Sequence, residues 1–395
     1  MTNAFDPAAV TGNWGFPNQI LVGPGRLSEL AQVCGDLGIK NPLVVTDPGL
    51  RELPPVQGTM KTLNQGGVKT ALFSDVDGNP VDSNVAAGVT AYQQGAHDGV
   101  IAIGGGSALD VGKAIALMLG QNRPIWDFED IGDYWKRADP DAIAPVIAIP
   151  TTAGTGSEVG RASVITNTQT HRKVIVFHPL MLPKTVILDP ELTVGLPAGL
   201  TAATGMDAFV HCFEAWCAPG FHPMADGIAL EGMRLVAEAL PKATSNGADL
   251  EARTKMLAAA SMGAVAFQKG LGGVHAIAHP VGARFGTHHG LTNAVILPYM
   301  MVHNRPEIED RVRPIARTLG LKSESFDAVL EWVLAFREQL LIPHTLADLN
   351  VDLALAKEIG ALAAVDPPAM SNPRKLTAEE YSQVFSAAVL GQLRD

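Results

Sequence analysis

Residues Gly99–Lys113 read GVIAIGGGSALDVGK, and the fold turns on this stretch. Gly99–Gly104 is a continuous apolar run without polar alternation, the pattern of a strand buried on both faces. Gly104-Gly105-Gly106-Ser107 ends it, and Ala108–Leu119 then places apolar residues at helical spacing. The three glycines let backbone pass close to a ligand, and the N–H groups that open the next helix suit an anionic phosphate. The loop lacks both the G-x-G-x-x-G spacing of a dinucleotide fingerprint and the G-K-[ST] ending of an ATP loop, so by itself it names no nucleotide.

Outward from this unit the same rhythm repeats. Ile20–Gly23, Pro42–Thr46, Thr70–Phe73 and Val146–Pro150 read as further buried parallel strands, with Arg26–Leu37 and Val85–Ala96 as helices between them. Ligands on such sheets bind beyond the carboxyl ends of the strands. Two more strand-like runs, Val174–Phe177 and Thr185–Leu188, follow. Beyond about Pro197 the texture becomes Ala/Leu/Met-rich and helical, over Thr201–Ala218, Pro223–Leu240, Ala252–Phe267, Arg311–Leu319, Phe326–Leu340 and Ala378–Leu390. The expected division is an α/β domain over residues 1–190 and a helical domain over 191–395, split near the Asp189-Pro190 turn.

Composition excludes several classes. The 395 residues are 47% hydrophobic and 17% charged, which rules out disorder as the main state. Forty acidic against 29 basic side chains leave a net charge of −11, a field that repels phosphate backbones and anionic lipid, so neither a nucleic-acid partner nor a membrane is expected. Three cysteines without a CxxC pair point to a reducing, cytoplasmic setting. Met1–Gly15 lacks the cationic and apolar regions of a secretory signal. The most apolar long segment, Met256–Phe267, has 12 residues where a span needs roughly 20.

Two loops and one histidine cluster carry the chemistry. Thr151-Thr152-Ala153-Gly154-Thr155-Gly156-Ser157-Glu158 follows the strand Val146–Pro150 and brings hydroxyls and backbone donors to the sheet edge that holds the glycine loop. Asp47 ends the second strand, where a carboxylate accepts from a ribose 2′-OH and repels a 2′-phosphate; it also suits a plain turn before Pro48-Gly49. In the helical half, Asp207 and His211 are four apart and so share one helix face. His275 and His279 repeat the spacing, although Pro280 interrupts regular helix there. Four of the 11 histidines fall within His275–His289, among Ala, Gly, Val and Ile. Several imidazoles and a carboxylate in an apolar setting match a site for Fe²⁺, Zn²⁺, Ni²⁺ or Mn²⁺, and spacing alone does not say which histidine stands outside it.

These runs together, Gly104–Lys113, Pro150–Glu158, Asp207–His211 and His275 through His289-Gly290, closely resemble the iron-containing (group III) alcohol dehydrogenases, in that family's order and from the Phe16–Gly25 entry segment to at least Pro298. The resemblance implies an N-terminal Rossmann-like nucleotide-binding domain and an all-α C-terminal metal-binding domain, the plan shared with dehydroquinate synthase, with a metal in the cleft between them. It places metal ligands at Asp207, His211, His275 and His289 and a non-ligand active-site histidine at His279. His288 takes a position often filled otherwise and is read as an exposed bystander, with support of the adjacent ligand position as the alternative. Cofactor contacts fall on Asp47, Asn79, Gly105, Gly106, Ser107, Asp110, Thr151, Thr152, Thr155, Val164 and Lys173, with Asp47 favouring NAD over NADP. The implied metal is Fe²⁺, with Zn²⁺ as the alternative, and the implied assembly is a homodimer or higher homo-oligomer.

The implied activity is reversible hydride transfer between nicotinamide and a small primary alcohol or hydroxy acid. A metal would stabilise the alcohol oxygen and His279 would relay its proton. Phe209, Phe213, Phe267 and Phe285 are candidates for a substrate wall or for ordinary core. Arg161, Arg284 and Lys269 are solitary cations able to meet a carboxylate substrate, with surface placement as their default. A lyase or cyclase resembling dehydroquinate synthase would need a basic phosphate pocket, and cations are scarce near His275–His289. A non-catalytic nucleotide-binding protein would leave the histidine cluster as unexplained buried polarity. A metal-independent reductase is disfavoured because all four ligand positions are filled.

Overall fold

The computed structural model describes residues 18–170 and 172–393, and of residues 12–14 the backbone course. The reading of Met1–Gly15 as no signal, and Phe16 and Pro17 of the entry segment, otherwise lie outside the described residues. The chain forms two compact units. One runs to Thr152 and resumes over Gly156–Gly195; the other comprises Ala153–Thr155 and the chain from Leu196. The division falls after Gly195, beyond the Asp189-Pro190 turn. The Asp189 carboxylate accepts N–H bonds from Gly25, Leu27 and Glu191, which ties that turn to the first unit.

The first unit is built on a seven-stranded sheet. Its strands are β1 (Gly12–Trp14), β2 (Gln19–Val22), β3 (Pro42–Val45), β4 (Ala71–Phe73), β5 (Gly99–Gly104), β6 (Val146–Pro150) and β9 (Thr185–Leu188), and β7 (Ala162–Asn167) and β8 (Arg172–Phe177) form a separate antiparallel pair. The order is β1-β2-β9-β6-β5-β3-β4, parallel throughout except for β1 on β2. Ile101, Ile103, Ile147, Ile149 and Ile187 are all fully buried, which is why these strands read as unbroken apolar runs. Helices α1 (Leu30–Asp36), α2 (Pro54–Gln65), α3 (Asp82–Gln94) and α4 (Gly106–Met118) connect strands. From β3 the chain passes outward to β4, then returns to β5 on the other side of β3. The carboxyl ends of β3 and β5 therefore flank a topological switch point, the place where open α/β sheets bind ligands.

Helix α2 has no sequence expectation behind it because it opens on Pro54-Pro55; proline is tolerated there, where its missing N–H has no helical partner. Strand β7 is also unanticipated. Val174–Phe177 and Thr185–Leu188 are both strands, as read, but belong to different sheets.

Among the described residues the second unit is helical: α5 (Ala198–Cys217), α6 (Pro223–Ser245), α7 (Leu250–Ala266), α8 (Gly273–Phe285), α9 (His289–Ile308), α10 (Arg313–Thr318), α11 (Phe326–Gln339), α12 (Ala356–Ala364) and α13 (Ala378–Leu390). α8 continues through Pro280, and α9 through Pro298 and Pro306, so tertiary packing overrides the local penalty. Among the described residues no helix is long and apolar enough to cross a membrane.

Candidate metal centre and nucleotide site

In the first unit the glycine loop lies at the switch point. Gly104 has φ +146°, and a Cβ on it would stand 2.8 Å from Ala108 Cβ and 3.4 Å from Asp47 Oδ2, so only glycine lets β5 turn into α4 beside that carboxylate. Asp47 Oδ1 accepts the Leu50 N–H at 3.1 Å, so the residue serves its turn as well as facing the loop. The N-cap of α4, Gly105, offers no side-chain acceptor, which leaves the helix opening suited to phosphate. Thr151 N–H bonds to Gly104 O, which sets the second loop beside the first, and Thr152 lies against Gly105. Ser107 Oγ donates to Gly78 O, next to exposed Asn79.

Asp110 is engaged within the protein through both carboxylate oxygens. Its Oδ1 accepts from Ser157 Oγ at 2.5 Å, its Oδ2 from the Val164 N–H at 2.9 Å, and Lys113 Nζ lies 3.3 Å away. Lys173 pairs with Thr166 across β7 and β8, and Thr155 belongs to the helical unit.

In the second unit α5 presents Asp207, His211 and Glu214 on one face. Asp207 Oδ1 is 3.9 Å from His211 Nε2, 3.9 Å from His275 Nε2 and 3.8 Å from His289 Nε2. The donor atoms of Asp207, His275 and His289 all lie within 4.8 Å of one another; His211 is outside that tighter group and stacks on His275 at 4.8 Å between ring centroids. α9 approaches α5 so closely that a Cβ on Gly290 would be 2.5 Å from Ala203 O and 2.9 Å from Asp207 Cβ. Glycine after His289 thus lets the two helices share a site.

Three partners escaped sequence reasoning. Glu214 is buried; its Oε2 takes His275 Nδ1 at 2.6 Å and its Oε1 the Val274 N–H at 2.7 Å. It caps α8, whose own N-cap, Gly272, has no side chain to do so. Burial pushes the Glu214 pKa up to about 7 against the lowering effect of the Val274 and Gly272 N–H groups, while burial drives His275 well below the usual imidazole range. With Nδ1–H given to Glu214, His275 Nε2 is left as a lone-pair donor, the arrangement that orients a metal-binding imidazole. Asn293 donates from Nδ2 to Asp207 Oδ1 at 2.7 Å. Asp366 accepts His279 Nδ1 at 3.0 Å. Glu214 and Asn293 follow His211 and His289 by three and four residues on the same helices, a spacing that could have flagged them; Asp366 carries no local signal.

The residues fit a divalent cation. Neutral imidazole nitrogen and carboxylate oxygen suit such an ion, the donor atoms of Asp207, His275 and His289 lie within 4.8 Å of one another, and Glu214 holds His275 Nδ1 so that Nε2 faces Asp207. Replacing Glu214 with Gln is expected to weaken metal binding about tenfold by loosening the His275 tautomer, read by metal content after dialysis against a graded chelator. Unchanged retention would leave Glu214 as a helix cap alone.

Of the aromatic candidates, Phe209 and Phe213 are buried core and stack on each other, with Phe209 also against Trp332 and Phe336, whereas the Phe267 ring stands edge-on to His211 at 5.1 Å. Phe285 packs half-buried against that core. His288 is exposed and caps α9 through the Leu291 N–H. Surface placement fails for Lys269. Its side chain is 2% exposed, because Asp226 at 2.5 Å and the Trp216 carbonyl together satisfy the buried ammonium. Arg284 is exposed beside Glu358, and Arg161 lies over the Phe177 ring.

Comparison with known proteins places this arrangement. The family model described as iron-containing alcohol dehydrogenase matches residues 17–190, and that of the family's C-terminal part matches residues 201–389. The chain is 36% identical to a 4-hydroxybutyrate dehydrogenase of Cupriavidus necator over 92% of this chain and 96% of that protein. It superimposes on a crystal structure of a 1,3-propanediol oxidoreductase with a TM-score of 0.89 at 34% identity, covering 93% of this chain and 97% of the other. A sulfoacetaldehyde reductase of Bifidobacterium kashiwanohense, solved in complex with NAD+, gives a TM-score of 0.85 at 29% identity, covering 94% and 97%. These matches favour a dehydrogenase over the lyase and non-catalytic alternatives. Matched along both halves of its length, the chain belongs to the iron-containing alcohol dehydrogenase family and is an NAD(H)-linked, metal-dependent oxidoreductase of alcohols.

Proposed function

We propose that Asp207, His211, His275 and His289 hold the divalent cation, Fe²⁺ or alternatively Zn²⁺, and that the enzyme interconverts a short primary alcohol and its aldehyde. The observation that carries this reading is the approach of three imidazole Nε2 atoms to 3.8–3.9 Å from one carboxylate oxygen. When bound, the cation supplies Lewis-acid polarisation of the substrate oxygen and NAD(H) supplies the hydride acceptor or donor. The glycine loop and the opening of α4 receive the pyrophosphate, the Thr151–Thr152 loop lines the same sheet edge, and the Asp47 charge disfavours a 2′-phosphate. Asn79, Gly105, Gly106, Ser107, Thr155, Val164 and Lys173 complete the cofactor contacts. Asp110 acts there by holding Ser157 and Val164 in place. His279, with Nδ1–H on Asp366, takes the alcohol proton at Nε2, and the Asp366 charge stabilises the imidazolium that forms.

The relatives' named substrates, 4-hydroxybutyrate and 1,3-propanediol, each carry a primary hydroxyl on a short chain. Of the three candidate cations, Lys269 and Arg284 already pair with carboxylates, so neutral alcohols and diols are the first substrates to assay, with hydroxy acids such as 4-hydroxybutyrate beside them. A cytoplasmic homodimer completes the reading. The three buried free thiols agree with a reducing compartment, and sedimentation tests the dimer.

The deciding assay follows NADH absorbance with short alcohols, diols and semialdehydes on protein reconstituted separately with Fe²⁺ and Zn²⁺. Turnover is expected with NAD+ and much less with NADP+. Silence across the whole panel, with metal and cofactor bound, would end the proposal, and phosphate release from a phosphorylated substrate would return the lyase. His279→Ala is expected to cut turnover about a hundredfold at unchanged metal content. Full turnover at every pH would remove its proton role.

A further inference from the structure

Asn293 stands where the proposed ligands converge. It is fully buried on α9, one turn after His289. Its Nδ2 lies 2.7 Å from Asp207 Oδ1, 3.1 Å from His275 Nε2 and 3.2 Å from His289 Nε2. An amide nitrogen has two hydrogens, so three acceptors share two donors. Its Oδ1 has no hydrogen-bond partner among the described residues, a costly arrangement for a buried carbonyl. What offsets that cost is the nitrogen end, which meets the Asp207 carboxylate and two imidazole nitrogens at once. The His275 nitrogen that Nδ2 approaches is the one left for a cation, because His275 has committed its other nitrogen to Glu214, and His289 Nε2 lies in the same donor group.

We propose that Asn293 is a built-in substitute for the cation. In the metal-free protein its N–H groups hold Asp207, His275 and His289 converged. Metal binding takes the imidazole lone pairs and leaves the amide bonded to Asp207, whose carboxylate oxygens have lone pairs to spare. The amide therefore makes more contacts in the metal-free state than in the loaded one. It keeps the site formed for loading and, by the same energy, weakens cation affinity. The inference rests on the metal-centre reading above and concerns a residue outside the ligand set.

The test compares wild type, Asn293→Leu, Asn293→Ser and Asp207→Ala, each stripped of metal with a chelator and titrated with Co²⁺. The readouts are the visible absorption of bound Co²⁺ and the thermal midpoint. Both Asn293 variants are expected to unfold at lower temperature without metal and to bind Co²⁺ about tenfold more tightly. Their absorption bands should keep the wild-type positions, since no ligand is lost. Should the Leu variant not fold, the Ser variant carries the same expectation with a smaller change. Binding equal to or weaker than wild type overturns the proposal, as does a band shift that marks a changed ligand set. Failure of wild type to bind Co²⁺, or wild-type binding by Asp207→Ala, would instead bring down the metal-centre reading itself.

Discussion

Asp207→Ala is expected to lower turnover of the metal-reconstituted enzyme by about a thousandfold or more and to leave it without bound metal after dialysis. Its Oδ1 lies within 3.9 Å of all three imidazole nitrogens, and among the described residues it is the only carboxylate oxygen in the tight donor group. Removing it takes away the charge that draws a cation there and the anchor of the Asn293 amide. Lewis-acid stabilisation of a developing oxyanion is worth several kcal/mol, and about 4 kcal/mol corresponds to a thousandfold in rate. Alanine is the best helix former, so α5 should persist and the loss should be chemical. Full metal content and wild-type turnover in this variant would end the assignment of the centre.

Lys113→Met is expected to destabilise the α/β unit by about 3 kcal/mol. Lys113 is 1% exposed; its Nζ donates to the carbonyls of Ser157 and Ala162 and pairs with Asp110. Burial pushes its pKa down, and the charges of Asp110 and Glu158 pull it back up. Methionine fills similar space but leaves two carbonyls and a carboxylate without their cation, which is the costly way to break a buried pair. Because Asp110 also holds Ser157 and Val164, the same variant should raise the KM for NAD+ more than it lowers kcat. Denaturant titration reads the first effect and steady-state kinetics the second. A loss under about 1 kcal/mol would show that this cation is not a clamp.

The central strands were legible because burial on both faces writes them as unbroken apolar runs. Strand β7, with the sequence ASVITN, was not, since its place depends on β8 beside it and on Asp110, which binds its Val164 N–H. Asp207 with His211 and His275 with His279 could be read from four-residue spacing. Glu214 and Asn293 sit at equally telling positions but are ordinary polar types on helices. Asp366 lies 87 residues beyond the imidazole it contacts, in a segment with no periodicity to interpret.

From sequence alone came the alternation of strand and helix, the two-part plan, the residue types able to hold a cation and the family resemblance, all of which depend on local pattern or motif. Tertiary structure decided the partners. It turned His275 Nδ1 to Glu214 and so chose the nitrogen that faces Asp207, paired Lys269 with Asp226 inside the protein, and set the Asn293 amide among Asp207, His275 and His289. The reason is physical. A polar side chain taken out of water must find whichever donor or acceptor the fold brings to it, and that choice is made between elements far apart in the chain.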